Sequence, residues 1–349
     1  IVEVDLTSGA VSRRDLGLGQ LRRFVGGRGV AALLLKEMLD GPIDPYAPDA
    51  PLIFSTGTLT GTHVPMSGRS NITFVSPATH LYCKTNVGGH FGLYSKLSGI
   101  DYLIVRGQAE EPVYLWIDQG SIEIRDGQPL WGGTIRETTS RLEETHGDQI
   151  NVACIGPAGE NRVAFASVMS SVYNAAGRGG AGAVMGAKNL KAIAIAAPEG
   201  EVSPVDPASF RTVRDEMRDA LYADTMADSY FTYGTAASVG LMNELQTLPS
   251  RNFQRGSIDR IEELTSQHWN EQGILTGRIG CASCIYSCHR FIRIPDGLYE
   301  GTYTAGPEYE TVSALGTGPE ITSIGALQKA NDLCNDLGMD TISAGGAIQ

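Results

Sequence analysis

Between Ala196 and Pro207 the sequence changes character, and this one change frames every fold open to the chain. Pro198, Gly200, Pro204 and Pro207 fall within these few positions, and no helix or strand runs through so many breakers. Upstream, the sequence reads as strands: Ile1 to Leu6 and Ala10 to Arg13 around Thr7-Ser8-Gly9, then Leu52 to Ser55, Asn71 to Val75 and Tyr102 to Val105. A hairpin is expected from Val113 to Ile117 and Ser121 to Ile124 across Asp118-Gln119-Gly120, and Asn151 to Ile155, Val163 to Val168 and Leu190 to Ala196 continue the series. Helical periodicity in this part is confined to Gly29 to Leu39 and Thr134 to Thr145. Downstream, Asp206 and Pro207 read as an N-cap and first-turn proline. Helices are then expected over Phe210 to Tyr222 and over Ile321 to Leu337, the latter closed by Gly338. The expected fold class is α+β: a strand-rich domain over 1–197, a linker over 198–207, and a mostly helical domain over 208–349.

The second constraint is chemical. Cys281-Ala-Ser-Cys284-Ile-Tyr-Ser-Cys288 puts three thiols into one short loop. Soft thiolates converging from a tight loop suit an iron-sulfur cluster, with one ligand still to come; the other cysteines are Cys83, Cys154 and Cys334. A Cys3His zinc site is the rival, although His289 follows Cys288 directly and is badly placed to reach the same ion. Three buried thiols without a ligand are the plain structural alternative.

Charge and hydropathy narrow the function. A formal net charge of -12 excludes the clustered basic surface of a nucleic-acid binder and favours small or uncharged substrates. The longest apolar stretch, Gly29 to Leu35, is interrupted by Lys36 and Glu37 well short of a membrane span, and Ile1 to Gln20 has no signal-peptide core. Six cysteines are too few for a disulfide scaffold in a chain of 349 residues, so a cytoplasmic setting is expected.

Glycines cluster in three loops: Gly26-Gly27-Arg28-Gly29, Gly88-Gly89-His90-Phe91-Gly92 and Gly177-Arg178-Gly179-Gly180-Ala181-Gly182. Such loops let backbone amides approach a phosphate. The third matches G-x-G-x-x-G, but Tyr173-Asn174-Ala175-Ala176 precedes it and Leu190 to Ala196 follows almost at once, unlike a dinucleotide-binding βαβ unit. A pterin phosphate is the alternative anion, with Arg69 as a bidentate clamp; otherwise Arg69 and Arg178 are surface side chains in turns.

These texts together resemble the tungsten-containing aldehyde:ferredoxin oxidoreductase family. The resemblance runs through Val2-Glu3-Val4-Asp5-Leu6, Gly26-Gly27-Arg28-Gly29, Leu59-Thr60-Gly61, Asn86-Val87-Gly88-Gly89, Ile155-Gly156-Pro157-Ala158-Gly159-Glu160-Asn161, Ala176-Gly177-Arg178-Gly179-Gly180 and Met185-Gly186-Ala187-Lys188-Asn189-Leu190-Lys191-Ala192-Ile193. It implies a two-sheet first domain holding a tungsten bis-molybdopterin centre, mostly helical domains over it, and a four-iron four-sulfur cluster relaying electrons. It implies pterin contacts for Arg69, Val87, Gly88, Gly177 and Arg178, and a magnesium ion on the backbone carbonyls of Asn86 and Ala175. Asn174 stands where the family often has arginine, at a phosphate contact. A second pterin motif, Asp-x-x-Gly-Leu-Asp, reads here Asn335-Asp336-Leu337-Gly338-Met339-Asp340, implicating Asn335, Met339 and Asp340.

Cys281, Cys284 and Cys288 match the first three cluster ligands; the fourth belongs to a later Asp-x-x-Gly-Leu-Cys motif that this sequence does not contain, so the chain is expected to be a fragment lacking the end of the second domain and all of the third. Lys329 stands at the position of a glutamate that helps bridge subunits through a metal in some members. Glu310, in Gly306-Pro307-Glu308-Tyr309-Glu310-Thr311, matches the carboxylate beside tungsten and is the expected catalytic base, Glu308 being the weaker candidate. A solvated acidic pair at a helix start is the bland reading of both. The implied reaction is oxidation of an aldehyde to a carboxylic acid with ferredoxin as electron acceptor. Alternatives are a benzoyl-coenzyme A reductase-like tungstopterin subunit, a non-catalytic iron-sulfur electron carrier and, least well supported, a nicotinamide-dependent dehydrogenase.

Overall fold

The β-branched runs before residue 197 form two six-stranded sheets. The computed structural model describes residues 1–349. The first sheet contains β1 (Val2–Asp5), β2 (Ala10–Arg13), β3 (Leu52–Thr56), β4 (Ser70–Val75), β5 (Tyr82–Val87) and β6 (Tyr102–Arg106), ordered β2-β1-β6-β3-β4-β5. The second contains β7 (Val113–Asp118), β8 (Ser121–Asp126), β9 (Ile150–Cys154), β10 (Val168–Ser170), β11 (Asn174–Ala176) and β12 (Leu190–Ala196), ordered β11-β10-β9-β12-β7-β8. Pairing is antiparallel except for β1 with β6 and β7 with β12.

Strand period explains why the central strands are apolar throughout. On β3, Leu52 and Phe54 face the second sheet, while Ile53 faces the helical layer outside. The inner core joins Val2, Val4, Leu52 and Phe54 to Leu115, Ile117, Ile193 and Ile195. Of the helices α1 (Leu18–Phe24), α2 (Gly27–Met38), α3 (Phe91–Leu97), α4 (Ile135–His146), α5 (Pro157–Glu160) and α6 (Ala181–Ala187), α3 and α6 enter this inner layer through Phe91, Val184 and Met185. Outside, α2 buries Val30, Ala31, Leu34 and Leu35 on Ile53, Tyr102 and Ile104. On the opposite side α4 buries Ile135 and Leu142 on Tyr114, Trp116 and Val152. Its start is fixed by a capping box, with Thr134 and Glu137 each bonding the other's backbone amide.

Two lysines of the Lys188-Asn189-Leu190-Lys191 run are buried in this unit. Lys191 donates to Gly133 O at 2.8 Å and pairs with Glu160, whereas Lys188 donates to the carbonyls of Pro48 at 2.9 Å and Gly107 at 3.2 Å. Burial drags the Lys188 amine down to about 8.

The chain divides into two units. The first comprises Ile1–Arg211 with two later segments, Cys281–Ser283 and Asp336–Met339; the second comprises Thr212–Gly280, Cys284–Asn335 and Asp340–Gln349. Helix α7 (Pro207–Tyr222) runs through the boundary, its start held by Asp206, which accepts from the Ala208 and Ser209 amides, both at 3.1 Å. The second unit contains α8 (Thr225–Tyr233), α9 (Val239–Glu244), α10 (Ser266–Glu271) and a three-stranded sheet, β13 (Leu275–Ile279), β14 (His289–Arg293) and β15 (Tyr303–Ala305). There follow α11 (Tyr309–Thr311), a π-helical turn over Val312–Thr317, α12 (Ile324–Leu337) and α13 (Thr341–Ile348). No helix is long and apolar enough to cross a membrane.

Three local expectations need correction. Val163 to Val168 is not a continuous strand: residues 163–166 turn, with Ala166 N donating to Val163 O at 2.7 Å, and the sheet ladder begins only at Val168. The helix expected from Ile321 begins at Ile324, because the Ile321 amide donates instead to Gly316 O at 2.7 Å. The residues from Leu275 to Ala305 supply a small sheet in a unit expected to be mostly helical. Gly338 does close α12, at φ +75°.

Candidate cofactor site

Strands β5 and β11 are the edge strands of their respective sheets, and they meet: the Arg178 amide donates to Thr85 Oγ1 at 3.3 Å. Their junction gathers two runs for which the family resemblance implies cofactor contacts, Asn86, Val87 and Gly88 on one side and Asn174, Ala175, Gly177 and Arg178 on the other. Beyond β5 the chain turns through Gly89 at φ +76° into α3, and beyond β11 through Gly179 and Gly180 at φ +84° and +86° into α6. These left-handed positions suit glycine. The third glycine loop thus joins an antiparallel edge strand to a seven-residue helix, which is not the dinucleotide-binding arrangement.

The junction has little spare room around its glycines. A Cβ on Gly88 would lie 2.6 Å from Cys281 Sγ and 2.9 Å from Asn174 Oδ1, and one on Gly89 would lie 2.9 Å from Asn174 Nδ2. Cys281 arrives on a segment hydrogen-bonded to the same loops, with Ala282 N donating to Gly89 O at 3.0 Å and Met66 N donating to Ser283 O at 2.7 Å. Gly68 is equally confined, since a Cβ there would run into Ala282 O. Cys281 Sγ lies 3.9 Å from Asn174 Oδ1. Here the fold brings a cluster-loop cysteine to the glycine loops through backbone bonds that no local pattern announces.

Arg69 and Arg178 are exposed. On either side of Arg69, the buried hydroxyls of Ser67 and Ser70 have no hydrogen-bond partner, and neither does Thr56 Oγ1, across the ladder from Ser70. Orphaned buried hydroxyls are costly unless another group satisfies them. A polar, anionic group in contact with the Ser67–Ser70 loop would do so, and the residues present fit a pterin phosphate. Met339 is elsewhere in this unit, pairing with Ala166 and packing on the cluster of Ala158, Ala166 and Ala183.

In the second unit, Glu310 lines a cavity of about 470 Å³ with Tyr230, Thr235, Ser238, Met242, Glu308 and Tyr309. The two acids differ in their surroundings. Glu308 accepts from Thr235 Oγ1 and lies 3.7 Å from His289 Nδ1, whereas Glu310 is exposed and takes part in neither contact. Burial, with the Glu310 charge adding to it, pushes the Tyr309 phenol up. The buried π-helical turn that follows Thr311 is a feature often found at functional sites. Asn335 bonds Asn331 within α12 at 3.5 Å, and Asp340 caps α13 by accepting from Ile342 N and Ser343 N.

Cys284 and Cys288 are partly buried. Arg290, buried beside them, donates to the carbonyls of Ser287, Tyr230 at 2.6 Å and Thr232 at 3.0 Å; burial lowers its pKa and the Cys288 sulfur opposes that. Sequence reasoning missed Arg290 and Thr235, which carry no motif. Of the other cysteines, burial pushes Cys154 and Cys334 both up to about 11, the opposite of a ligand-ready thiolate. No three His, Cys, Asp or Glu side chains converge on a single-ion site, so the cluster assignment rests on the spacing and softness of the thiols.

Comparison with known proteins identifies the family. The family description "Aldehyde ferredoxin oxidoreductase, N-terminal domain" matches residues 1–197, and "domains 2 & 3" of the same family matches 212–349. A tungsten-containing aldehyde ferredoxin oxidoreductase of Pyrococcus abyssi is 38% identical over 350 residues, covering 100% of this chain and 57% of the relative. An aliphatic sulfonate oxidoreductase, WOR-like subunit, of Pyrococcus furiosus is 30% identical over 100% of this chain and 58% of the relative. The solved active-site complex BamBC of benzoyl coenzyme A reductase, with 1,5 dienoyl-CoA, superposes with a TM-score of 0.80 at 27% identity, over 99% of this chain and 54% of that one. The chain therefore spans a little over half the length of the relatives it matches. With both family descriptions matched in order along the two units, the chain belongs to the aldehyde ferredoxin oxidoreductase family.

Proposed function

We propose that this chain is the cofactor-binding part of a tungsten oxidoreductase that converts aldehydes to carboxylic acids and passes the electrons to ferredoxin. The observation that carries this reading is the meeting of edge strands β5 and β11, which joins two glycine loops, two flanking phosphate-binding candidates and Cys281 in one unit. When bound, a bis-pterin tungsten centre supplies a two-electron acceptor and a four-iron four-sulfur cluster a one-electron relay.

The chain's own residues supply binding and proton handling. Arg69 and Arg178 neutralise pterin phosphates, with Ser67 and Ser70 as additional donors. Gly88 and Gly177 carry no side chain to keep a phosphate from their amides, Val87 is the residue before the first of them, and Asn174 faces the same loops. The backbone carbonyls of Asn86 and Ala175, on the two abutting strands, would hold a magnesium ion, a hard cation that takes oxygen ligands and would offset phosphate charge. Cys281, Cys284 and Cys288 ligate the cluster. Asn335, Met339 and Asp340 occupy the second pterin motif, where the α12 to α13 turn supplies backbone and carboxylate acceptors. Glu310, exposed in its cavity, takes the proton released when water adds to the aldehyde carbon; Glu308, held by Thr235, does not.

The test is anaerobic purification of the full-length protein followed by assay of aldehyde oxidation with ferredoxin. Turnover with tungsten present supports the reading, and a protein with tungsten that oxidises no aldehyde overturns the substrate assignment. The likeness to the benzoyl coenzyme A reductase complex favours a second reading, a tungstopterin subunit acting on an aromatic thioester. Co-purifying redox subunits with thioester-dependent turnover would select it.

A further inference from the structure

We infer that Asn174 is a positioning residue that hydrogen-bonds the Cys281 sulfur and raises the reduction potential of the cluster Cys281 ligates. This inference rests on the cluster reading above. Asn174 is 6% exposed, and its carboxamide lies between two partners: Cys281 Sγ, 3.9 Å from Oδ1, and the Gly88-Gly89 backbone, so close that a Cβ on either glycine would come within 2.9 Å of an amide atom. Cys281 is held to the same backbone, because Ala282 N donates to Gly89 O at 3.0 Å. The sulfur, the amide and the glycine loop therefore form one small packed group.

As a thiol, Cys281 donates to Asn174 Oδ1. As a ligating thiolate it has no proton to give, and a carbonyl oxygen facing it is repulsive. The terminal torsion of asparagine is broad and roughly two-fold, and half a turn replaces Oδ1 by Nδ2 with two donors. An N–H directed at a cluster sulfur withdraws electron density from it and favours the reduced state, one of the ways in which proteins tune such potentials. The same amide packs against the Gly88-Gly89 loop, which is expected to hold a pterin.

The test is a redox titration of the full-length holoprotein, wild type, Asn174→Ala and Asn174→Asp, followed by EPR of the reduced cluster with iron counted in each sample. The expected order of midpoint potentials is wild type highest, Asn174→Ala lower and Asn174→Asp lowest, at equal iron content. Equal potentials at equal iron content overturn the inference and leave Asn174 as packing. Should the variants lose iron, wild-type protein labelled with 15N-asparagine decides by pulsed EPR: a 15N hyperfine coupling to the reduced cluster supports the bond, and its absence overturns it. Wild type without iron overturns the cluster reading itself, a result distinct from either.

Discussion

Thr235 holds Glu308 and Tyr309 together: its hydroxyl donates to the Glu308 carboxylate and accepts from the Tyr309 amide at 3.0 Å. One hydroxyl thereby fixes the backbone immediately before Glu310 and engages Glu308, so that two carboxylates two residues apart differ in their surroundings.

Glu310→Gln in the full-length protein is expected to lower kcat by about 10²- to 10⁴-fold, the usual range for loss of a general base, with tungsten content unchanged. Glu308→Gln is expected to cost far less. Steady-state kinetics with metal analysis on both variants checks this, and equal losses would remove the assignment.

Gly88→Ala is expected to displace Cys281, because the added Cβ would lie 2.6 Å from its sulfur, closer than real contacts allow. Iron content should fall while far-UV circular dichroism stays at the wild-type value. Full iron occupancy in this variant would show that Cys281 is not held against Gly88.

The Lys191–Glu160 pair is buried, its side chains 0% and 6% exposed, and Glu160 also accepts from Gly132 N at 3.0 Å. Lys191→Met leaves an unpaired buried carboxylate and should cost about 3–5 kcal/mol, read from the urea midpoint. A loss below about 1 kcal/mol would mean that the pair behaves as a solvated one.

Lys188 gives a pH signature. Its amine falls from 10.5 to about 8 through burial, so the unfolded chain binds more protons between these values and stability rises with pH there. Compared with Lys188→Met, the wild type should gain up to about 3 kcal/mol between pH 8 and 10.5. Parallel stability curves for the two proteins would refute the shift.

Much of the fold was legible where local chemistry and tertiary packing agree. The runs Leu52–Thr56, Val113–Asp118 and Leu190–Ala196 are rich in β-branched or aromatic residues and became strands. The two strands that build the junction were not legible. Tyr-Cys-Lys-Thr-Asn-Val and Asn-Ala-Ala carry weak strand preference and owe their conformation to their neighbours in the ladders. Helices α3 and α6 escaped notice because glycine masks their periodicity. The cysteine loop was legible as chemistry. Its division between the units, with Cys281–Ser283 counted with the first, depends on bonds to Gly89 and Met66, both far earlier in the chain.

The β5–β11 junction and the cysteine loop are proposed to hold a tungsten-pterin centre and an iron-sulfur cluster. Elemental analysis of the full-length protein purified without oxygen tests this most directly. Tungsten together with about four irons per chain is the expected result; zinc alone, with neither tungsten nor iron, would contradict the account and return Cys281, Cys284 and Cys288 to a structural role.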